Sequence, residues 1–459
     1  MATINPVNMN KSRSWVDGPQ SLALLSDIFI FITGGFHLAV SVGWSYFAYS
    51  LHFKFCWFIG VAIGCILAPL LINWKRRRLF IFSPILLVNV SAIVTLSAYY
   101  NTKALIAARY LNGIAIGLTT VSYVMHASEI ASEHFRGYCL CLEQLGLAAG
   151  AYVQILYTGL WSSDMDFNPY CLQGIFCIIF GVLALVLTFT SIDSPVLHLR
   201  RGDEPEALSC IVRLYRPTVM TNEKQVIFNK LKEYVAMNEA MSLEQCFLQS
   251  VSPLLRILPY RCMLSFIVAL PIAVAFILSE EVSTAGTFVN WPPVLYGFLG
   301  FLGAVVSFAI IEGIGRKAVS LFSLLCAGGM TIGVGIIFYD TMALINSTKM
   351  ATACALLMIA QIFGGIFAPS TTVYMGEAFP LRLKRYFIAF TVLAQYMVDL
   401  IIVCTFTFTP ENMFVYCLVT GVIMCVACLI FTVTMPETRK TTLQEAQQQF
   451  SYGLHLRFY

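Results

Sequence analysis

Apolar runs of about twenty residues, separated by short polar stretches, dominate the chain. That is the length an α-helix needs to cross a bilayer at ~1.5 Å rise per residue. The runs fall at 22–43, 55–73, 79–99, 105–126, 138–160 and 171–191. They resume at 262–281, 292–311, 318–338, 351–372, 386–408 and 413–434. The pattern predicts an all-α membrane protein of twelve transmembrane helices: a six-helix half at 22–191, a hydrophilic insert at 192–260 and a second half at 261–434. A segment 1–21 precedes them and a tail 435–459 follows. The insert carries helical signals of its own. Asp203-Glu204-Pro205-Glu206 and Ser242-Leu243-Glu244-Gln245 read as capping boxes, and Val226, Ile227, Leu231, Tyr234 and Val235 recur at helical spacing between them.

Composition supports a membrane as solvent. The chain is 58% hydrophobic and 11% charged, whereas soluble domains carry about 25% charged residues. The net charge of +4 is too small to argue for a nucleic-acid partner. The distribution of basic residues says more. With both termini in the cytoplasm, 24 of the 28 Lys and Arg lie inside, including Lys11, Arg13, the run Lys75 to Arg78, and nine from Arg200 to Arg261. Only Lys54, Lys103, Arg109 and Lys349 lie outside. Residues 1–20 lack a cleavable signal pattern, and neither end carries a lipidation motif, so the first apolar run is expected to be retained. Asn346-Ser347-Thr348 fits a glycosylation acceptor on the outer side, while Asn89-Val90-Ser91 falls within the third helix. Most of the fifteen cysteines lie in apolar runs and read as packing residues, Cys425 and Cys428 included. The six histidines are scattered singly, and no HExxH or GxSxG pattern occurs. No catalytic site, metal or cofactor is implied.

The halves look related. Glu129 and Arg136 are spaced like Glu377 and Lys384, 248 residues on, and the basic run at 75–78 has a counterpart in Arg316-Lys317. Such a repeat places a solute site between the halves, near mid-membrane.

Six motifs carry a family resemblance. They are Arg109-x3-Gly113-x3-Gly117; Glu129-x6-Arg136-Gly137; Gln144-Leu145-x4-Gly150; Ser194-Pro195-x6-Gly202-x3-Glu206-Ala207; Glu312-x2-Gly315-Arg316-Lys317; and Pro436-Glu437-Thr438-Arg439-x2-Thr442-Leu443-x-Glu445. In this order they resemble the sugar-porter branch of the major facilitator superfamily, which includes facilitative glucose and trehalose carriers. The resemblance implies a secondary transporter that moves a small organic solute by alternating access, in the plasma membrane. It implies a sugar contact at Gln144 and gating residues at Arg109, Glu129, Arg136, Gly137, Glu312, Arg316, Glu377, Lys384 and Glu437.

The pocket departs from the family. No Gln lies between Gln249 and Gln361, where sugar porters carry a Gln pair, and Trp291 is the last Trp. Thr371 and Thr372 stand where the family has Pro-Trp. His37, in Gly35-Phe36-His37, replaces a polar or acidic residue of helix 1; it lies at a depth similar to Arg109 and is expected, as a neutral imidazole, to hydrogen-bond Arg109 or the substrate. Asp399, in the middle of its run, falls where the family has a sugar-contacting Asn. An ionisable group there is costly and marks a pathway, so Asp399 is expected to line the cavity and to carry a proton or meet a cationic solute. The leading reading is a carrier for a sugar or sugar-like compound. A proton-coupled or organic-cation carrier and a non-transporting solute sensor are the alternatives.

Overall fold

The computed structural model describes residues 18–45, 50–72, 77–161, 167–283 and 291–455, with the side chains of 77–81 and 280–283 left out. The expectations placed on Lys11, Arg13, the run Lys75 to Arg78, the N-terminal segment and the last four residues therefore fall outside the described residues or side chains.

The first half comprises α1 (Leu25–Ser41), α2 (Leu51–Leu71), α3 (Arg77–Ser97), α4 (Thr102–Ile130), α5 (Arg136–Leu160) and α6 (Pro169–Leu187). The insert holds α7 (Pro195–Arg200), α8 (Glu204–Leu214) and α9 (Asn222–Ala240). The second half comprises α10 (Leu243–Ile267), α11 (Leu270–Ser283), α12 (Trp291–Ile310), α13 (Arg316–Phe338), α14 (Ser347–Ala378), α15 (Lys384–Thr405) and α16 (Pro410–Thr434), and the tail ends in α17 (Leu443–Ser451). Among the described residues, ten spans are long and apolar enough to cross a bilayer, with α10 and α11 counting together; α1 and the Phe82–Ser97 part of α3 are shorter apolar helices. The twelve predicted crossings are accounted for.

The halves repeat one packing scheme. In the first, α1 packs on α5, α2 on α4, and α3 on α6; in the second, α10 packs on α15, α12 on α14, and α13 on α16. Small residues make the tightest of these contacts possible, because backbones must approach closely where lipid offers no hydrophobic drive. A Cβ on Gly117 would lie 2.3 Å from the Val61 carbonyl oxygen, and one on Gly365 would lie 2.3 Å from that of Gly300. Between the halves, α5 meets α12 and α14, while α15 meets α2 and α4.

Two expectations about the insert need correction. The boundary at 260/261 falls inside one helix, since the Ser242–Gln245 capping box opens α10 and nothing stops it before Ile267. The crossing expected at 262–281 is interrupted at Val268 and Ala269. Pro271 then sits in the first turn of α11, where its missing N–H sacrifices no helical bond. The insert itself is packed: Val196, Tyr234 and Val235 form a small core with Leu381 and Leu443. Lys224 is buried and donates to the carbonyls of Val212, Tyr215, Pro217 and Val219, which ties α9 to the loop before it.

Candidate functional site

Both halves wall a central cavity of about 90 Å³. From the first half, α1 contributes Leu38 and α5 contributes Gln144, Leu147, Tyr152 and Ile155. The second half contributes Ile267 and Val268 at the α10–α11 break, Gln361 of α14, and Gln395, Tyr396 and Asp399 of α15. The unwound backbone thus lies where it faces a cavity rather than lipid, the setting in which irregular structure is tolerated at membrane depth. Tyr296 donates to Gln361 Oε1 at 3.0 Å. The Nε2 of Gln144 is buried with no partner among the described residues, so it is a donor held ready in the cavity wall. Ser265 and Gln395 lie against the Asp399 carboxylate, and Arg261 is its cationic neighbour.

On the side of the bundle opposite the insert, aromatic rings from both halves pack on one another. Trp44, just beyond α1, meets Tyr296 of α12 at a centroid distance of 5.7 Å, and Tyr296 meets Phe276 of α11 at 4.6 Å. Gln154 of α5 donates to the Trp44 carbonyl at 3.3 Å.

On the insert side, the cavity ends at a buried ion pair. Arg261 of α10 donates through Nη2 to Glu143 Oε1 of α5 at 2.7 Å, and both side chains are 0% exposed. Arg261 also donates to Thr371 and Thr372 at 2.8 Å each and to Gln395 Oε1 at 2.7 Å. Thr372 donates to Glu143 as well. The sequence counts Arg261 among the cytoplasmic basic residues; it lies in the bundle interior instead, fully buried on α10. Glu143 was not anticipated at all. Its signal was available, since it is the lone acidic residue of α5. The two threonines in the Pro-Trp position turn out to solvate a guanidinium.

Farther toward the insert, a second charged network joins the halves. Arg136 of α5 faces Glu377 of α14 at 3.4 Å and donates to the Thr441 carbonyl at 2.9 Å. Arg316 pairs with Glu377 and, at 2.7 Å, with Glu312. The Gly137 N–H donates to the same Glu312 oxygen at 2.8 Å. Glu437 accepts from the backbone N–H groups of Arg316 and Lys317 at 3.2 and 2.9 Å. Lys384, fully buried, donates to Ser128 of α4 at 2.7 Å. Glu129 accepts from Ser194, the cap of α7, at 2.5 Å.

Arg109 and His37 stand apart from this network. Arg109 is buried within the first half, where it donates to the Phe53 carbonyl at 3.0 Å, to Ser41 Oγ at 2.5 Å and to the His37 backbone carbonyl at 3.3 Å. The meeting with His37 therefore runs through backbone, not imidazole, and His37 Nδ1 is buried without a partner among the described residues. Asn346 caps α14, accepting from the N–H groups of Thr348 and Lys349.

Comparison with known proteins places these features. The model of a family described as "Sugar (and other) transporter" matches residues 38–450. Hexose transporter 1 of Plasmodium falciparum is 24% identical over 366 residues, which cover 71% of this chain and 68% of that protein. The arabinose-proton symporter of Bacillus subtilis is 23% identical, covering 85% and 84%. Among solved structures, the proton:xylose symporter XylE bound to 6-bromo-6-deoxy-D-glucose superposes with a TM-score of 0.73 at 18% identity, covering 95% of this chain and 99% of that one. That likeness is one of fold, the major facilitator arrangement.

Proposed function

The chain belongs to the sugar (and other) transporter family, and from that premise we propose that it moves a sugar or sugar-like solute across a membrane by alternating access. The observation that carries this reading is the cavity itself, which both halves wall and which Gln144, Gln361, Gln395 and Asp399 line. Amide groups supply paired donors and acceptors at little charge, the chemistry that fits a neutral polyol. In this reading the insert side is the cytoplasmic side of the plasma membrane, as the basic residues imply. Arg136, Gly137, Glu312, Arg316, Glu377, Lys384 and Glu437 act as its gate, and the Trp44–Tyr296–Phe276 rings act as the outer one. Glu129 anchors the insert to α4, and Arg109 with His37 braces the first half. The test is uptake by proteoliposomes of radiolabelled D-glucose, D-fructose, D-xylose, trehalose and myo-inositol. Saturable uptake of at least one, reduced about tenfold by Gln144→Ala, is the expected result. Binding without flux across the whole panel would favour a solute sensor.

One observation favours a second reading, in which the solute is cationic or a proton is carried with it: Asp399 is an acidic residue in the cavity wall. Under that reading Asp399→Asn flattens the dependence of uptake on external pH or shifts preference from cationic to neutral solutes. Superimposable profiles at equal expression would leave Asp399 a structural residue.

A further inference from the structure

The Glu143–Arg261 pair and its two threonines lie at the insert end of the cavity on three of the helices that line it, α5, α10 and α14. On α5 the lining residues run from Gln144 to Ile155, and Glu143 is the next residue toward the insert. On α10 they run from Leu264 to Val268, with Arg261 one turn closer to the insert. Along α14, Thr371 and Thr372 follow the last lining residue, Ala368. The pair is therefore the floor of the cavity, and a solute leaving toward the insert must pass between its members.

Only Glu143 belongs to the first half. Arg261, Thr371, Thr372 and Gln395 all belong to the second. While the floor is closed, each carboxylate oxygen of Glu143 accepts from Arg261, and one also accepts from Thr372. When the halves part on the insert side, a carboxylate and a guanidinium lose one another at the same moment. An unpaired charge in the bundle interior strongly opposes that separation. A charged solute could cover one member only. Two adjacent hydroxyls cover both: one O–H donates to Glu143 while the neighbouring oxygen accepts from Arg261, and the assembly stays neutral.

We infer that Glu143 and Arg261 form a transit site for the vicinal hydroxyls of an uncharged solute, so that the floor opens readily only when such a solute lies above it. This rests on the proposed sugar transport and names the feature of the sugar that is read.

The test uses the full-length protein in proteoliposomes and counterflow of radiolabelled D-glucose, or of whichever panel sugar the wild type carries best, compared with its monodeoxy analogues. Wild type is expected to prefer the sugar by about tenfold over at least one analogue lacking a hydroxyl of a vicinal pair. E143Q and R261Q should each lose at least about tenfold in exchange, since E143Q takes from Arg261 its paired carboxylate, leaving Asp399 as its acidic neighbour, and R261Q leaves Glu143 buried without its cation. E143Q/R261Q, with two neutral amides in place of the charges, should recover to within roughly threefold of wild type while its preference over that analogue drops below about threefold. Recovery with the wild-type preference intact would reduce the pair to a packing contact and overturn the inference. So would a single variant at the wild-type rate, a double variant as slow as the singles, or no preference in wild type. If the singles do not fold, the preference of the double variant decides. Absence of exchange of every panel sugar by wild type would overturn the proposed function as well.

Discussion

Gly137 has no room for a side chain, because a Cβ there would stand 2.1 Å from Glu312 Oε1. The glycine of the Glu129-x6-Arg136-Gly137 motif is thus a place where backbone meets a carboxylate from the other half. Gly137→Ala should push Glu312 off the Gly137 N–H and disturb its pair with Arg316. A hydrogen bond to a charged group contributes ~1.5–3 kcal/mol, so closure on the insert side should weaken by about one to two powers of ten. Faster hydrogen exchange across the first two turns of α5 is the expected readout; unchanged exchange would mean that Glu312 re-seats without cost. At this scale the sequence was only partly legible. Gln144 and Asp399 stood out as polar groups in apolar runs, and the cavity wall holds them both. Glu143 is an equally polar group in the same apolar run, but the family likeness rests on its neighbour Gln144. Arg261 is hidden by its position: last of nine basic residues that begin at Arg200, it counts as cytoplasmic charge rather than as a group of the bundle interior. For His37 and Arg109, depth along two helices does not say which atoms face each other: Arg109 reaches the His37 backbone carbonyl.

Helices came from the sequence more readily than their interruptions. Hydropathy alone marked all twelve crossings, since lipid-facing surface forces continuous apolar runs. It could not show the gap at Val268 and Ala269, because an unwound pair inside a buried crossing is as apolar as the helix around it. The two capping signals mark the starts of α8 and α10, and at α10 Ser242 and Gln245 make both reciprocal bonds. The contribution of Lys224 was not readable, for it depends on four carbonyls brought together only by the turn before α9. Lys224→Met should leave those carbonyls without their donor, costing ~1–3 kcal/mol locally, and hydrogen exchange in 212–224 should rise while the membrane helices keep their protection. In the bundle, Gly117→Val should wedge α4 off α2, with overpacking of ~1–3 kcal/mol or more. A fall in thermal midpoint, with no comparable effect from Ala at Gly329, where a Cβ meets nothing within 4 Å, would locate the effect in the helix crossing.

As a whole, the molecule joins its halves at two charged levels on one side of the cavity. The inner level is Glu143–Arg261. The outer one, centred on Glu377, lies about seven residues farther along α5, or ~10 Å. Glu377 is the shared acceptor of the outer level, taking Arg136 from the first half and Arg316 from the second. Neutralising it should release Arg136 from its cross-half partner, whereas Arg316 keeps Glu312. Breaking a buried pair costs ~3–5 kcal/mol when one charge is left alone; the partners that remain place Glu377→Gln near the lower end of that range. The closed arrangement should then yield to one open toward the insert by about a hundredfold. Cys139 and Cys141 are fully buried on the intervening stretch of α5, so their modification by a membrane-permeant maleimide, followed by peptide mass spectrometry, reports the opening directly. Labelling of both should rise in Glu377→Gln and persist at about 0.5 M salt, since buried pairs are little screened. Uptake from the opposite side should fall, because the cavity spends less time facing it. Wild-type labelling in the variant would show that the inner pair alone keeps the insert side shut, and the outer network would then be a brace for the insert and tail rather than a gate.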